Sequence, residues 1–75
     1  MPDSPVIHWL GAGLSSGPGL IRLLANGAHV CLWNRTLAHS HQLVAEAPSK
    51  PDICVLDLDE LAERLRPGDV VVSML

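Results

Sequence analysis

Two glycines and two serines lie close together near the start of the chain, at residues 11–16 in the order GAGLSS. Glycine permits a tight turn and lets a bound group approach the backbone, because it has no side chain. The N–H groups at the start of a helix carry partial positive charge and bind phosphates. We therefore expect Gly11 to make a turn and Gly13 to let the backbone reach a pyrophosphate. The N–H groups expected to face the anion are those of Leu14, Ser15 and Ser16.

The glycines fit two spacings of a phosphate-binding turn. In the first, G-x-G-x-x-G, Ser16 stands at the third glycine position, where a small side chain is accommodated. In the second, G-x-x-x-G-x-G, the glycines are Gly13, Gly17 and Gly19. The second spacing leaves too few residues for a helix before Gly27, so we favour the first. The sequence assigns Gly17 and Gly19 no role other than leaving room for a bulky neighbouring side chain.

Three polar residues, Asn34, Arg35 and Thr36, follow the next apolar segment, about 20 residues beyond the glycines. In NAD-binding units this place holds Asp or Glu, which accepts from the ribose 2′-OH and would repel a 2′-phosphate. Asn34 is neutral, and the planar Arg35 cation can pair with a phosphate or stack on adenine. Thr36 adds a hydroxyl and begins a helix. The corner favours NADP over NAD; the alternative is a solvated Arg35 and a Thr36 that only caps the helix.

The elements that position these residues alternate regularly along the chain. Apolar runs predict strands at 6–10, 29–33, 53–56 and 70–75, and helical spacing predicts helices between them. Asp57 and Glu60 predict a capping box on the third helix. The pattern indicates an α/β fold, the N-terminal part of a Rossmann doubly wound parallel sheet with strand order 3-2-1-4, truncated after strand four. Ligands of such sheets bind beyond the carboxyl ends of strands one and four.

Packing roles are predicted for the remaining residues. We expect apolar stripes on the first and third helices, formed by Leu20, Ile21, Leu23 and Leu24, and by Leu58, Leu61, Ala62 and Leu65. His8 is expected to be a hydrogen-bonded core residue. Two exposed histidines on one helix, His39 and His41, are two residues apart, which is poor spacing for a metal pair. Two buried thiols, Cys31 and Cys54, are expected to act as small hydrophobes rather than as a redox pair.

Composition limits both the size of the domain and its partners. The chain has 75 residues, of which 48% are hydrophobic, a net charge of −3 and five Lys and Arg residues. This balance argues against a nucleic-acid partner, and no apolar run is long enough for a membrane span or signal segment. We expect a cytoplasmic protein. The final apolar run ends at Leu75 without a covering crossover, so we expect residues 1–75 to be an N-terminal half-domain that lacks the substrate and catalytic domain.

Several segments resemble known families of dehydrogenases. Residues 23–36 (LLANGAHVCLWNRT) resemble the first crossover of NADP-dependent β-hydroxyacid dehydrogenases, the 6-phosphogluconate dehydrogenase superfamily, and residues 68–75 (GDVVVSML) are similar to their fourth strand. Residues 7–20 (IHWLGAGLSSGPGL) look more like bacterial saccharopine dehydrogenase-like proteins, which share the NADP-binding fold and an Asn-Arg-Thr or Asp-Arg-Thr corner. The hydroxyacid enzymes usually carry glycine where this chain has Ser16, which favours the saccharopine type.

The resemblance implies the NADP-binding portion of an oxidoreductase that transfers a hydride to or from an amino-acid-derived substrate. The alternatives are a β-hydroxyacid dehydrogenase cofactor domain and a non-catalytic nucleotide-sensing module. By the resemblance, Gly11, Gly13, Leu14 and Ser15 would hold the pyrophosphate, and Asn34, Arg35 and Thr36 the 2′-phosphate and ribose. The backbone of Ser73, Met74 and Leu75 would line the cofactor. The catalytic residues, the small-molecule substrate site and any homodimer contact would lie beyond Leu75.

Overall fold

A computed structural model describes residues 5–11 and 17–74. Four strands alternate with three helices, as the sequence predicts. The elements are β1 (Val6–Leu10), α1 (Gly17–Ala25), β2 (His29–Asn34), α2 (Leu37–Leu43), β3 (Asp52–Val55), α3 (Leu58–Arg64) and β4 (Val70–Ser73). The predicted boundaries are close to these: β2 extends one residue further than predicted, to Asn34, and β3 begins and ends one residue earlier.

The four strands form one parallel sheet in the order β3-β2-β1-β4, which confirms the predicted fold class. Leu10, the last residue of β1, lies opposite Trp33 of β2 and Ser73 of β4. The carboxyl ends of β1, β2 and β4 are therefore level with one another. β2 and β3 lie on one side of β1, and β4 lies on its other side. The strand order therefore reverses beside β1, as in doubly wound sheets.

One face of the sheet is covered by α1 and by the chain at and after the end of α2. The buried side chains of this face are Trp9, Leu20, Leu24, Val30, Leu32, Val44 and Ala47. The two unassigned glycines of α1 explain its close packing here. A Cβ atom at Gly17 would lie 3.3 Å from Leu43 Cδ1, and one at Gly19 would lie 3.3 Å from Trp9 Cη2. Both glycines therefore give room to a bulky neighbour, as the sequence suggested.

The opposite face carries a smaller core, formed by Leu10, Cys31, Trp33 and Leu61. From α3 only Leu61 is buried, whereas Leu58 is 67% exposed and Leu65 is 40% exposed. The predicted stripe of four residues is therefore wrong for α3. Periodicity places the side chains on one side of the helix, but α3 is only seven residues long. Such a short helix brings a single side chain onto the sheet.

The start of α3 is fixed by a side-chain cap. The Asp57 carboxylate accepts hydrogen bonds from the backbone N–H groups of Asp59 and Glu60, at 2.9 and 3.2 Å. These bonds satisfy N–H groups that have no partner within the helix. The Glu60 carboxylate lies 3.3 Å from Arg64 Nη2, one turn further along α3. The Asp57 half of the predicted capping box is confirmed, whereas the Glu60 carboxylate pairs with Arg64.

A chain of hydrogen bonds crosses the smaller core. Trp33 Nε1–H donates to His8 Nδ1 at 3.1 Å, and His8 Nε2 lies 3.1 Å from Asp69 Oδ2. Because Nδ1 accepts, Nε2 carries the proton of a neutral imidazole and donates it to Asp69. Asp69 also accepts from the backbone N–H groups of Val6 and Arg66, at 3.0 and 3.1 Å. His8 is thus a buried and hydrogen-bonded core residue, as predicted.

The Asp69 carboxylate is held in its charged form by these donors. The N–H of Val6 is the largest influence, and those of Arg66 and the His8 ring add to it, so the pKa of Asp69 lies below its ordinary value of 3.8. A carboxyl group whose pKa is lowered by folding stabilises the folded state above the unfolded pKa. This stabilisation is lost as pH falls through the folded pKa.

The bond between Trp33 and His8 predicts a difference between the two tryptophans. Trp33→Phe leaves Nδ1 of buried His8 without a donor, whereas Trp9 Nε1 has no hydrogen-bond partner among the described residues. Both changes remove a similar volume from the core. We expect Trp33→Phe to lower the free energy of unfolding by about 1–3 kcal/mol more than Trp9→Phe. Urea unfolding followed by circular dichroism measures both, and equal losses would contradict the assigned bond.

The Asp69 contacts predict a pH-dependent loss of stability. In Asp69→Asn, an NH₂ group can replace the oxygen that accepts from His8 and Arg66, and the charge is lost. We expect the variant to be less stable at neutral pH, with the difference from wild type shrinking as pH falls below about 3.8. Thermal unfolding between pH 7 and pH 2 tests this. A difference that stays constant down to low pH would show that the Asp69 charge does not stabilise the fold.

Candidate functional site

The carboxyl edge of the sheet gathers the chain segments that the sequence predicts to bind a ligand. Gly11 follows β1, Arg35 and Thr36 follow β2, and Met74 follows β4. The level ends of these strands bring the segments together along one edge, beside the reversal of strand order. Open parallel sheets bind ligands at this place because the loops there diverge to opposite faces and leave a crevice.

Gly11 makes the turn out of β1. Its φ of 103° is in the left-handed region, where a side chain would be strained. Its N–H donates to the Trp33 carbonyl at 2.8 Å, which continues the β1–β2 pairing by one residue. Gly11 is buried, and its N–H is not free to bind an anion. Its contribution is the left-handed backbone at the end of β1.

The other residues of the predicted phosphate turn, Gly13, Leu14, Ser15 and Ser16, lie outside the described residues, and so does Leu75. The described chain resumes at Gly17, where α1 begins. Their contact with a pyrophosphate therefore stays a prediction.

The corner after β2 is closed by hydrogen bonds. The Asn34 carbonyl accepts from Leu56 N–H at 2.9 Å, which fixes the corner against the end of β3. The Asn34 side-chain Nδ2 donates to the Thr36 carbonyl at 3.2 Å. The carbonyl and the side-chain amide of Asn34 therefore stabilise the corner, a structural role that was not predicted from the sequence.

Arg35 and Thr36 are both exposed at this corner. Arg35 makes no ion pair with any residue in the described part of the chain. Thr36 takes the N-cap position of α2, but its side chain makes no capping hydrogen bond. The prediction of Thr36 as a cap is correct for its position only. A guanidinium and a hydroxyl, on consecutive residues, are thus exposed to solvent at this corner.

The end of β4 forms the other side of the reversal. Ser73 pairs with Leu10, and Met74 N–H donates to the Leu10 carbonyl at 2.8 Å. Both residues are exposed. The Met74 N–H is hydrogen-bonded within the sheet and is not free to donate to a ligand. A ligand at this edge would contact the exposed surfaces of Ser73 and Met74.

Other side chains that could bind a ligand or react lie away from the carboxyl edge of the sheet. A cavity of about 410 Å³ opens at the amino ends of the strands, where its lining includes His29, Asp52 and Arg66. His39 and His41 are exposed on α2. Within residues 5–11 and 17–74, no three His, Cys, Asp or Glu side chains converge as metal ligands. No helix in the same ranges is long and apolar enough to cross a membrane.

The two cysteines are closer together than the sequence analysis expected. Cys31 is buried and Cys54 is partly buried, and both are free thiols. Pairing of β2 with β3 nevertheless brings their sulfur atoms to 3.5 Å. The two residues are far apart in sequence, so the contact is not evident from local patterns. The predicted strand order 3-2-1-4 makes β2 and β3 neighbours, and both cysteines face α3, which is the signal that could have predicted the contact.

Comparisons with known proteins agree with the fold. No protein-family model matches the chain, and no curated protein matches it. Among solved structures, the chain is similar to apo histidine-tagged saccharopine dehydrogenase (L-Glu forming) from Saccharomyces cerevisiae, with 29% sequence identity and a TM-score of 0.74. The match covers 96% of this chain and 17% of that chain. The chain therefore corresponds to a small part of that dehydrogenase and shares its parallel, Rossmann-like architecture at that part.

Proposed function

We propose that this chain binds NADP at the carboxyl edge of its sheet and serves as the cofactor-binding part of an oxidoreductase. One observation carries the proposal: the left-handed turn at Gly11 and the open Arg35–Thr36 corner leave neighbouring strands at the same edge, beside the reversal of strand order. The similarity to part of a saccharopine dehydrogenase supports the same conclusion.

The chemistry of the corner supports a 2′-phosphorylated ribose. Asn34 places no negative charge at the end of β2, so it does not repel a phosphate dianion. Arg35 is an exposed cation without an ion pair in the described chain. A guanidinium forms strong, charge-assisted hydrogen bonds to phosphate oxygens, and Thr36 can add one through its hydroxyl. The chain as a whole carries a net charge of −3, so affinity for an anion has to come from such local groups.

The pyrophosphate is assigned to the turn between β1 and α1. Gly11 turns the chain, and Gly13, Leu14, Ser15 and Ser16 would supply close backbone approach and free N–H groups at the start of α1. Because the Gly11 N–H is bonded to Trp33, the anion's donors belong to the residues that follow it. Ser73, Met74 and Leu75 would border the cofactor from the β4 side.

The proposed role of the whole protein follows from the cofactor. Bound NADP supplies hydride transfer at its nicotinamide ring, and the protein binds and orients it. The proposed substrate is derived from an amino acid, as the name of the similar dehydrogenase suggests. The residues of this chain hold the adenosine and pyrophosphate groups, and we assign none of them to catalysis.

The assignment of Arg35 predicts how two nucleotides differ in affinity. Adenosine 2′,5′-bisphosphate and 5′-AMP differ only in the 2′-phosphate. We expect the bisphosphate to bind more tightly, and Arg35→Gln to weaken its binding about 10- to 100-fold, the effect of losing a charge-assisted hydrogen bond. Binding of 5′-AMP should change little. Isothermal titration calorimetry measures all four affinities.

Arg22 provides the matched control for this experiment. It is an exposed arginine in the last turn of α1, at the opposite end of that helix from the proposed site. Arg22→Gln removes the same charge from the chain and should leave both affinities unchanged. Equal wild-type affinities for the two nucleotides would contradict the choice of NADP, and an equal effect of both substitutions would contradict the role of Arg35.

A further inference from the structure

A pair of thiols lies under α3, on the face of the sheet opposite α1. Cys31 of β2 and Cys54 of β3 both belong to the smaller core, and their sulfur atoms are 3.5 Å apart. Cys31 lies opposite Asp52 and Cys54 lies opposite Trp33, so the cysteines are diagonal neighbours on adjacent strands. Two free thiols in contact can be joined by oxidation.

The Arg64 guanidinium lies beside the pair of thiols and is in contact with Cys54. Arg64 Nη1 is 3.3 Å from Cys54 Sγ, and the guanidinium carbon lies 5.5 Å from the centre of the Trp33 ring. The Glu60 carboxylate, 3.3 Å from Arg64 Nη2, also orients the guanidinium. The thiolate is the nucleophilic form of cysteine, and Arg64 places a positive charge in contact with the Cys54 sulfur. In return, the negative charge of a Cys54 thiolate raises the pKa of Arg64.

The second thiol is held in its protonated form. Cys31 is 3% exposed, and burial raises its pKa to about 12, with further increases from its hydrogen bond to Cys54 and from the charge of Cys54. The cysteines therefore differ in character: Cys54 is the partly exposed thiol with a cation beside it, and Cys31 is the buried partner. This asymmetry resembles the division between an attacking and a resolving thiol.

The cavity of about 410 Å³ at the amino ends of the strands is lined by Cys31 and by Arg64, the guanidinium that contacts Cys54, and Cys54 itself is partly exposed. One water molecule occupies roughly 30 Å³ of liquid volume, so the cavity has ample room for a molecule of peroxide size.

We propose that Cys31 and Cys54 form a peroxide-reactive dithiol that closes to a reversible disulfide. The Cys54 thiolate attacks one oxygen of hydrogen peroxide, the O–O bond breaks, and the departing hydroxide takes a proton and leaves as water. Cys54 is then a sulfenic acid. Cys31 loses its proton and attacks the Cys54 sulfur, the S–O bond breaks, and a second water leaves. Two thiols are oxidised by two electrons in total, and one peroxide is reduced to two waters.

The first step prepares the second. Burial is the largest cause of the raised pKa of Cys31, and the hydrogen bond to Cys54 and the charge of Cys54 raise it further. Conversion to the neutral sulfenic acid removes the charge, so the buried thiol is easier to deprotonate when it has to attack.

The strand register explains why the disulfide is reversible. Diagonal neighbours on ideal parallel strands have Cα atoms about 8 Å apart, from a strand spacing of about 4.8 Å and a two-residue rise of about 6.6 Å. Disulfides usually span Cα separations of 4.4–6.8 Å, and those forced outside this range are strained and easily reduced. Closing the bond requires β3, a four-residue edge strand, to move toward Cys31. The disulfide is a labile modification rather than a structural staple.

The test treats the full, reduced chain with a small excess of hydrogen peroxide and follows free thiols and intact mass. We expect both thiols to be lost together, the mass to fall by two hydrogen atoms, peptide mapping to join Cys31 to Cys54, and dithiothreitol to restore both thiols. Dimers linked by disulfides, or oxygen added to Cys54 while Cys31 stays free, would overturn the proposal. So would thiols that react no faster than those of the chain unfolded in urea.

Variants separate the roles of the residues. Cys31→Ser should stop at the sulfenic acid, which a 1,3-diketone reagent traps on Cys54, and Cys54→Ser should leave Cys31 largely unreacted. Arg64→Gln should slow thiol loss several-fold. Arg22 is an exposed arginine on the other face of the sheet, and Arg22→Gln should leave the rate of thiol loss unchanged. Equal rates in the two arginine variants would overturn the activating role of Arg64. Nucleotide binding plays no part in these measurements, so their outcome is independent of the proposed function.

Discussion

The hydrogen-bonded chain from Trp33 through His8 to Asp69 is the interaction on which the arrangement of the strands depends most. Trp33 lies in β2, His8 lies in β1, and Asp69 precedes β4, so these hydrogen bonds join three strands through one buried imidazole. Asp69 also holds the N–H of Val6 at the start of β1. An apolar core alone permits strands to slip, but a buried donor in a slipped register would lose its acceptor at a cost of about 1–3 kcal/mol. The polar chain thus helps to specify the register.

That register determines what lies at the carboxyl edge. Leu10 opposite Trp33 and Ser73 makes the three strands end together, and the residues after them form the candidate site. The hydrogen bonds run from Trp33, at the carboxyl end of β2, through His8 in the middle of β1 to Asp69 at the amino end of β4. They fix the strands along their length, and the carboxyl edge presents a glycine turn and an exposed arginine. A ligand bound at the carboxyl edge would meet a framework that is already positioned, which lowers the entropy lost on binding.

Much of the fold could be predicted because its signals are local. Apolar runs, helical spacing and caps identify the elements, and the βαβ alternation restricts the strand order to few choices. The stripe on α3 was wrong because periodicity tells which side chains share a side, not whether a layer lies opposite them. The role of Asp69 has no local signal, because its hydrogen bond to His8 joins residues that are 61 positions apart. The contact between Cys31 and Cys54 was missed for the same reason, since it exists only after β2 and β3 pair.

The positions of some candidate-site residues in the fold could be predicted, and their role in binding stays a prediction. The place of Arg35 and Thr36 after β2 follows from spacing, and the structure agrees with it. The bonds of the Asn34 carbonyl to Leu56 and of the Gly11 N–H to Trp33 could not be foreseen, because both depend on which strand lies beside them. The most direct test of the site is an amide NMR titration of the chain with NADP⁺ and, separately, with NAD⁺. We expect chemical-shift changes at Gly11 and at residues 34–36, larger with NADP⁺ than with NAD⁺. A dispersed spectrum that neither nucleotide changes, or shifts confined to His29 and Asp52 at the amino ends of the strands, would contradict it.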